Sequence, residues 1–262
     1  MKTCTDTIVL RADGVFAARG DAQVLSGVSF AIVDRVREGK TTGQVVAILG
    51  PSGVGKTTLL RVLAGLDAPQ RGAVTGVDGA PLAAGDVGLV FQDYPLVAHR
   101  TVRANLVLAG TIRGLSGPKL EARADELLAR VGLEGQAGLY PAQLSGGQRQ
   151  RAAIAQQLVV PRRLLLLDEP FSGLDPAALR EISDLVVSVA DEHELNTVVV
   201  VTHDVRAAIA VSDTLVILGR GPGGKGARVV ETIDLCARGV AWGEGSTAAR
   251  DAVAREIIER LS

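Results

Sequence analysis

The 262 residues are 47% hydrophobic with a formal net charge of −1, enough chain for a full core in one domain with an appended subdomain. That balance leaves no case for a nucleic-acid partner, which selects clustered positive charge, and 3% aromatics leaves none for base-stacking platforms. Cys4 and Cys236 lack CxxC or metal-ligand spacing, which suits a reducing, intracellular setting.

In chain order, the opening Met1-Lys2-Thr3-Cys4-Thr5-Asp6 lacks the apolar stretch of a secretion signal. Short strand-like runs follow at 8–10, 24–25 and 28–33, of which the last is long enough to place. Residues 34–42 are polar and charged and read as a surface hairpin between antiparallel strands. An apolar strand at 44–49 runs into a glycine-rich turn, and 57–66 has helical spacing with Leu59, Leu60, Val62 and Leu63 available to pack. Strand, glycine-rich turn and helix open an α/β nucleotide-binding core. Another strand is expected at 87–91.

Helices at 101–110, 118–131 and 145–159 then interrupt the α/β alternation. It resumes with strands at 164–167, 198–202 and 214–218. The runs 164–167 and 198–201 are too short to span a bilayer and read as parallel strands buried on both faces. A glycine-rich loop at 219–226, a strand near 228–233 and a final helix close the chain. Val253, Ile257, Ile258 and Leu261 form that helix's apolar stripe, with Ser246 or Thr247 as its cap.

Gly50-Pro51-Ser52-Gly53-Val54-Gly55-Lys56-Thr57 fits GxxxxGK[ST] between a strand and a helix. Glycines let the backbone wrap so that successive N–H groups face phosphate oxygens, and the helix start adds partial positive charge. In such a cradle Lys56 reaches the β- and γ-phosphates of a nucleotide and the Thr57 hydroxyl ligates Mg²⁺. The aliphatic strand ending in Asp168 delivers a carboxylate to the sheet's carboxyl edge, where the metal would sit, and Glu169 is placed to polarise a water. Leu144-Ser145-Gly146-Gly147-Gln148 opens a second helix with a serine cap and bare amides. Two phosphate-binding helix starts with one lysine-bearing cradle imply either two sites or one composite site from two chains.

The cradle, Gln92 after Val90-Phe91, LSGGQ at 144–148, LLLLDEP at 164–170, Ser172-Gly173-Leu174-Asp175 and Thr202-His203-Asp204 stand in the order of a known family. The chain resembles the ATP-binding subunit of an ATP-binding cassette (ABC) transporter along nearly its whole length. The resemblance implies a P-loop, RecA-like α/β core with an N-terminal antiparallel β subdomain (together 1–92 and 159–262) and an inserted helical subdomain at 93–158. It implies that residues 50–57 and Thr58 hold ATP, that Thr57, Gln92 and Asp168 hold Mg²⁺, and that Glu169 is the catalytic base. His203 would hold the γ-phosphate and Gln92 would sense the metal and the attacking water. Two cassettes would clamp two ATP molecules head to tail, Ser145 and Gly147 facing the partner's γ-phosphate and Asp175 crossing the interface. A homodimer follows if every site is intact.

Further features point toward the importer branch: LSGGQRQR followed by 152–158, and the segment 93–100 where such subunits grip a permease. A separate integral membrane permease, a solute-binding protein acting through it, and a peripheral place on the cytoplasmic face of the membrane are what that branch implies. The tail from Leu218 resembles the nitrate, sulfonate and taurine group, whereas Ala98-His99-Arg100-Thr101-Val102 is more like polar amino-acid importers. At 262 residues the extra C-terminal domain of sugar importers is not expected. A soluble cassette such as one serving iron–sulfur cluster assembly, or an export or cell-division cassette, is the alternative. In this sequence the aromatic residue that family members stack on adenine is replaced by Arg19, so that role falls to Phe16, to Arg19 or to no side chain. Residues 34–42 are longer than the family's turn, and Gln44 stands where Glu is frequent.

Overall fold

The protein is described here by a computed structural model covering residues 2–37, 43–77, 79–191, 196–221, 224–242 and 245–261. Among the described residues one nine-stranded sheet runs through the molecule, in the order β4 (Arg71–Thr75), β1 (Lys2–Arg19), β2 (Ala22–Arg37), β9 (Ala227–Asp234), β8 (Thr214–Arg220), β3 (Gln44–Leu49), β7 (Thr197–Thr202), β6 (Leu164–Asp168) and β5 (Gly88–Val90). Its central strands β3 (Gln44–Leu49), β6 (Leu164–Asp168) and β7 (Thr197–Thr202) are buried at every residue. With β5 (Gly88–Val90) and β8 (Thr214–Arg220) they pair in parallel.

Both faces of this parallel stack are covered, which explains the unbroken aliphatic runs. Leu165, Leu167, Val198, Val200 and Val45 face one core, shared with the helices α2 (Val102–Ile112), α3 (Pro118–Arg130), α4 (Gly146–Leu158) and α5 (Pro176–Asp191). Leu164, Leu166, Val199, Val201, Val46 and Ile48 face another, shared with α1 (Lys56–Leu63) and the N-terminal strands. Ala47, Leu49, Leu215 and Ile217 pack with α6 (Val205–Val211) and α7 (Thr247–Leu261). At the N terminus of α7 the hydroxyl of Ser246 accepts the Ala249 N–H, so Ser246 rather than Thr247 is the cap. Ile257 is buried in its stripe, whereas Ile258 is exposed and the Leu261 side chain lies outside the described residues.

The antiparallel wing differs from the sequence expectation. The short runs before residue 33 are parts of two long strands, β1 (Lys2–Arg19) and β2 (Ala22–Arg37), paired with several register shifts. The strand β4 (Arg71–Thr75) flanks β1 and was not expected. The strands on either side of 34–42 are not hairpin partners, because β9 (Ala227–Asp234) and β8 lie between β2 and β3 in the sheet, and residues 34–37 are the end of β2. Their first members are interior: Asp34 and Arg35 are buried, and Arg35 makes two hydrogen bonds to the Asp234 carboxylate (3.1 and 2.8 Å) and one to the Thr214 hydroxyl (3.0 Å). A charged stretch thus reads as surface until its partner, 199 positions away, is known. Residues 38–42, and 222–223 of the glycine-rich loop, lie outside the described residues.

Candidate functional site

Parallel pairing in the order β3-β7-β6-β5 sets four strand ends side by side at one edge. The residues that follow are Gly50 after β3, His203 after β7, Glu169 after β6 and Phe91-Gln92 after β5. Ligands collect at such an edge because loops leaving neighbouring strands converge there. A cleft of about 430 Å³ lies over it, lined by Arg19, Val24, Ser52, Gly53, Gly55, Lys56, Thr57, Thr58, Gln92, Glu169 and His203.

The cradle has the backbone its glycines allow. Gly53 and Gly55 have φ of 75° and 115°, and a Cβ on Gly55 would meet Val24 Cγ1 at 2.8 Å. No side chain caps the start of α1, so its first N–H groups are left for a ligand. Val54 is buried and its N–H bonds the Pro51 carbonyl (3.2 Å), which folds the loop over. The Lys56 side chain is 6% exposed; its Nζ donates to the carbonyls of Gly50 (2.9 Å) and Pro51 (3.3 Å) and pairs with Glu169 Oε1 at 3.3 Å.

Glu169 is the most constrained residue of the site. Its φ of 48° is left-handed, a conformation costing a non-glycine residue about 1–3 kcal/mol. Its N–H donates to the Val201 carbonyl (2.7 Å) and its own carbonyl accepts from Ser172 (3.2 Å). Oε2 accepts the Thr202 hydroxyl (3.1 Å) and the His203 N–H (3.3 Å) and lies 2.9 Å from His203 Nδ1. The glutamate is thereby aimed into the cleft between Lys56 and His203.

Asp168, at the end of β6, is buried, and burial raises its carboxyl above the ordinary range, with Glu169's charge adding to that and the Thr57 hydroxyl and Lys56 opposing it. Its Oδ1 is buried without a hydrogen-bond partner among the described residues. An orphaned carboxylate oxygen beside a threonine hydroxyl is the donor chemistry of a hard cation that keeps most of its ligands from water and phosphate. Thr57 and Asp168 therefore fit Mg²⁺. Gln92 is exposed and lines the same cleft.

The remaining expected residues lie elsewhere. Leu144, Ser145, Gly146, Gly147 and Gln148 are not among the cleft's lining, so one chain does not bring both helix starts to one cavity. Leu144 is buried; Ser145 caps α4, accepting the Gln148 N–H (3.3 Å) while its own N–H bonds Gln148 Oε1 (2.9 Å). Asp175 is exposed and Oδ1 accepts from Ala177 (2.8 Å) and Ala178 (3.0 Å), bonds that pull its carboxyl below the usual range. Of the adenine candidates, Arg19 is in the cleft with Val24; Phe16 lies against Gly27, outside the lining.

Sequence reasoning did not single out several residues. Thr202 appears within Thr-His-Asp, but its bond to Glu169 has no sequence signature. Tyr94 has a φ of 46° and is half-buried; burial, with the charges of Asp168 and Glu169, pushes its hydroxyl up to about 12. Asn105 is fully buried and ties the loop before α2: Val97 N–H donates to Oδ1 (2.7 Å), and Nδ2 donates to the carbonyls of Val97, Arg100 and Thr101 (3.2, 3.2 and 3.0 Å).

A family model described as ABC transporter matches residues 34–172. The sulfate/thiosulfate import ATP-binding protein CysA of Gloeobacter violaceus is 41% identical over 213 residues, 80% of this chain and 59% of that protein. The protein of the same name from Synechococcus elongatus is 44% identical over 197 residues, covering 74% and 57%. The chain thus spans less than two thirds of the length of these relatives. Among solved structures, cbiO1 from Clostridium perfringens, described as part of the ABC transporter complex cbiONQ, superposes with a TM-score of 0.74 at 26% identity over 98% of this chain and 95% of that one. A dimeric post-hydrolysis state of the ATP-binding cassette MJ0796, bound to ADP and Pi, gives 0.70 at 29% identity over 86% and 98%.

Proposed function

The chain belongs to the ABC transporter family, and from that premise we propose that it binds Mg-ATP and hydrolyses it to energise import through a separate membrane permease. The observation that carries the chemistry is the convergence of Lys56, Glu169 and His203 in one cleft, within 3.3 Å of one another through the glutamate. Lys56 and the free N–H groups of the cradle bind the phosphates, as a dipolar helix start and a buried cation favour. Thr57 and Asp168 hold Mg²⁺, which when bound neutralises phosphate charge. Glu169 takes the proton of the attacking water, and Thr202 and His203 fix its carboxylate against rotation. His203, half exposed over the cleft, contacts the γ-phosphate. Catalysis of this kind is positioning and electrostatics.

The signature helix start is left for a second copy, whose cradle it completes; a homodimer is the proposed working pair. Asp175 lies at that interface. Arg19 and Val24 are the side chains on offer to the base, Arg19 by stacking its guanidinium plane. The relatives' names support the importer reading, with sulfate or thiosulfate as the first cargo to assay, ahead of nitrate, sulfonates or amino acids. No helix among the described residues is long and apolar enough to cross a membrane, which suits a subunit docked on a permease through the loop that Asn105 ties down. The test is co-purification of the tagged chain from native membranes in ATP, using Glu169→Gln to slow release. A multi-span permease in the eluate, together with ATPase activity absent from Lys56→Ala, supports the proposal. Soluble partners alone refute the transport role.

A further inference from the structure

Gln150 lies in α4, five residues after the Ser145 cap, and its side chain is completely buried. Its Nε2 donates to the carbonyl of Pro170, the residue after Glu169. Its Oε1 is buried with no partner among the described residues. A glutamine present only to fill and satisfy the core would use both ends of its amide, since an idle buried acceptor is costly. Here the donor end alone is used, and it is spent on the turn that holds the left-handed Glu169.

That turn has two other backbone ties: Glu169 N–H to Val201, and Ser172 N–H to the Glu169 carbonyl. Both come from the α/β core or from the turn itself. Gln150 supplies a tie that comes from the signature helix. Between Ser145 and Gln150 the helix is a rigid segment of about 7.5 Å at 1.5 Å per residue. The capping box of Ser145 and Gln148 and the buried Leu144 fix its start. Displacement or rotation of the helix start is therefore felt at the Pro170 carbonyl, one peptide from the catalytic carboxylate.

We infer that Gln150 is a positioning residue through which the signature helix of a chain, when it grips the partner's nucleotide, sets the Glu169 carboxylate of its own site. The inference rests on the dimeric ATPase reading above. It makes the two sites of a dimer interdependent: ATP in one cradle orders the glutamate of the other.

The test uses the full chain and steady-state Mg-ATP hydrolysis as a function of ATP concentration. Gln150→Met keeps the volume and removes the donor; Gln150→Leu removes the donor with a smaller apolar side chain where the methionine variant folds poorly. The expected result is a ten- to hundredfold lower kcat, the scale of small misplacements of a catalytic group. The KM for ATP and the affinity for ADP stay unchanged, and the Hill coefficient falls toward 1. Wild-type kcat and cooperativity in a folded variant overturn the inference. So does a fall in kcat accompanied by equal losses of ADP affinity and melting temperature, the mark of a merely structural glutamine. A wild-type chain that hydrolyses no ATP overturns the proposed function, and this inference with it.

Discussion

Replacing Glu169 by glutamine changes one atom and removes one charge, and the structure gives that change two separable effects. Glu169 Oε1 lies 3.3 Å from Lys56 Nζ, the cation that engages phosphate under the proposed function. A pair of unit charges at that separation is worth about 5 kcal/mol at an effective dielectric of ~20 and about 1.3 kcal/mol in water. The side chains are 6% and 11% exposed, but they face an open cleft, so screening holds the pair near the low end. Lys56 in the variant still donates to Gly50 and Pro51 and is not left as a bare buried charge. An incoming β-phosphate thus has to displace a charged carboxylate from Lys56 in the wild type and only neutral acceptors in the variant. About 1.4 kcal/mol of relieved competition is roughly tenfold in affinity.

ADP is the probe that isolates this effect, because it lacks the γ-phosphate that a second copy would grip. Isothermal titration of Mg-ADP should give a Kd about tenfold lower for Glu169→Gln than for wild type, with the gap narrowing as salt is raised. Turnover of ATP should fall by roughly 10²–10⁴, the usual contribution of a general base. Unchanged or weaker ADP binding by a folded variant would show that the Lys56–Glu169 contact does not compete with phosphate. Near wild-type turnover would sink the assignment of Glu169 as base.

Asn105→Ala removes the buried amide that holds residues 97–101 and leaves the N–H of half-buried Val97 without its acceptor, so stability should drop by about 1–3 kcal/mol in urea unfolding; a loss below about 0.5 kcal/mol would mean the loop holds its own shape. Arg19→Ala should weaken Mg-ADP binding about fivefold, the worth of one cation–π contact, and Arg19→Tyr should restore it; equal affinities for all three would remove Arg19 from the base site. Asp234 is pulled two ways: burial raises its carboxyl, and the Arg35 guanidinium and backbone N–H groups outweigh this and hold it below the usual range. A depressed carboxyl stabilises above its unfolded pKa of about 3.9 and loses that effect as pH falls through the folded value. The stability gap between wild type and Asp234→Asn should therefore be constant above about pH 5 and shrink below pH 4. A gap that grows toward low pH would contradict the pairing.

The parallel core was legible because each strand's burial on both faces writes itself as an unbroken run, and each phosphate-binding turn needs glycine at fixed spacing. The cradle and Asp168 stood out for the same reason, since chemistry and local backbone demand a residue type at one place in one element; His203 stood out only through the family resemblance, by its place in Thr202-His203-Asp204. What went unread involves two elements at once. Arg35 looked like solvent-facing charge because Asp234 becomes its neighbour only when β9 lies beside β2 and β8. Gln150 is one of two glutamines in the same helix turn, and nothing local tells that one bonds its own cap while the other reaches Pro170. The long β1 and β2 were read as fragments because glycine at 14 and 27 and polar residues between broke the alternation; register shifts in the pair absorb those breaks.

The two helix starts are not equivalent, and the difference sets an order of events under the proposed function. The start of α1 has no side-chain cap, so a phosphate meets N–H groups with no competitor. The start of α4 satisfies part of its own need, Ser145 with the Gln148 N–H and Gln148 with the Ser145 N–H, and a phosphate there must compete with or join that box. Nucleotide therefore loads the cradle of each chain first, and the signature start engages only when a second chain brings it a phosphate already held by Lys56. Ser145→Ala should leave Mg-ADP affinity at the cradle within twofold of wild type, since 144–148 do not line that cleft. In the Glu169→Gln background it should abolish the ATP-dependent dimer seen by light scattering. Loss of ADP affinity in Ser145→Ala, or an undiminished ATP-dependent dimer, would each contradict the order of loading argued from the two caps.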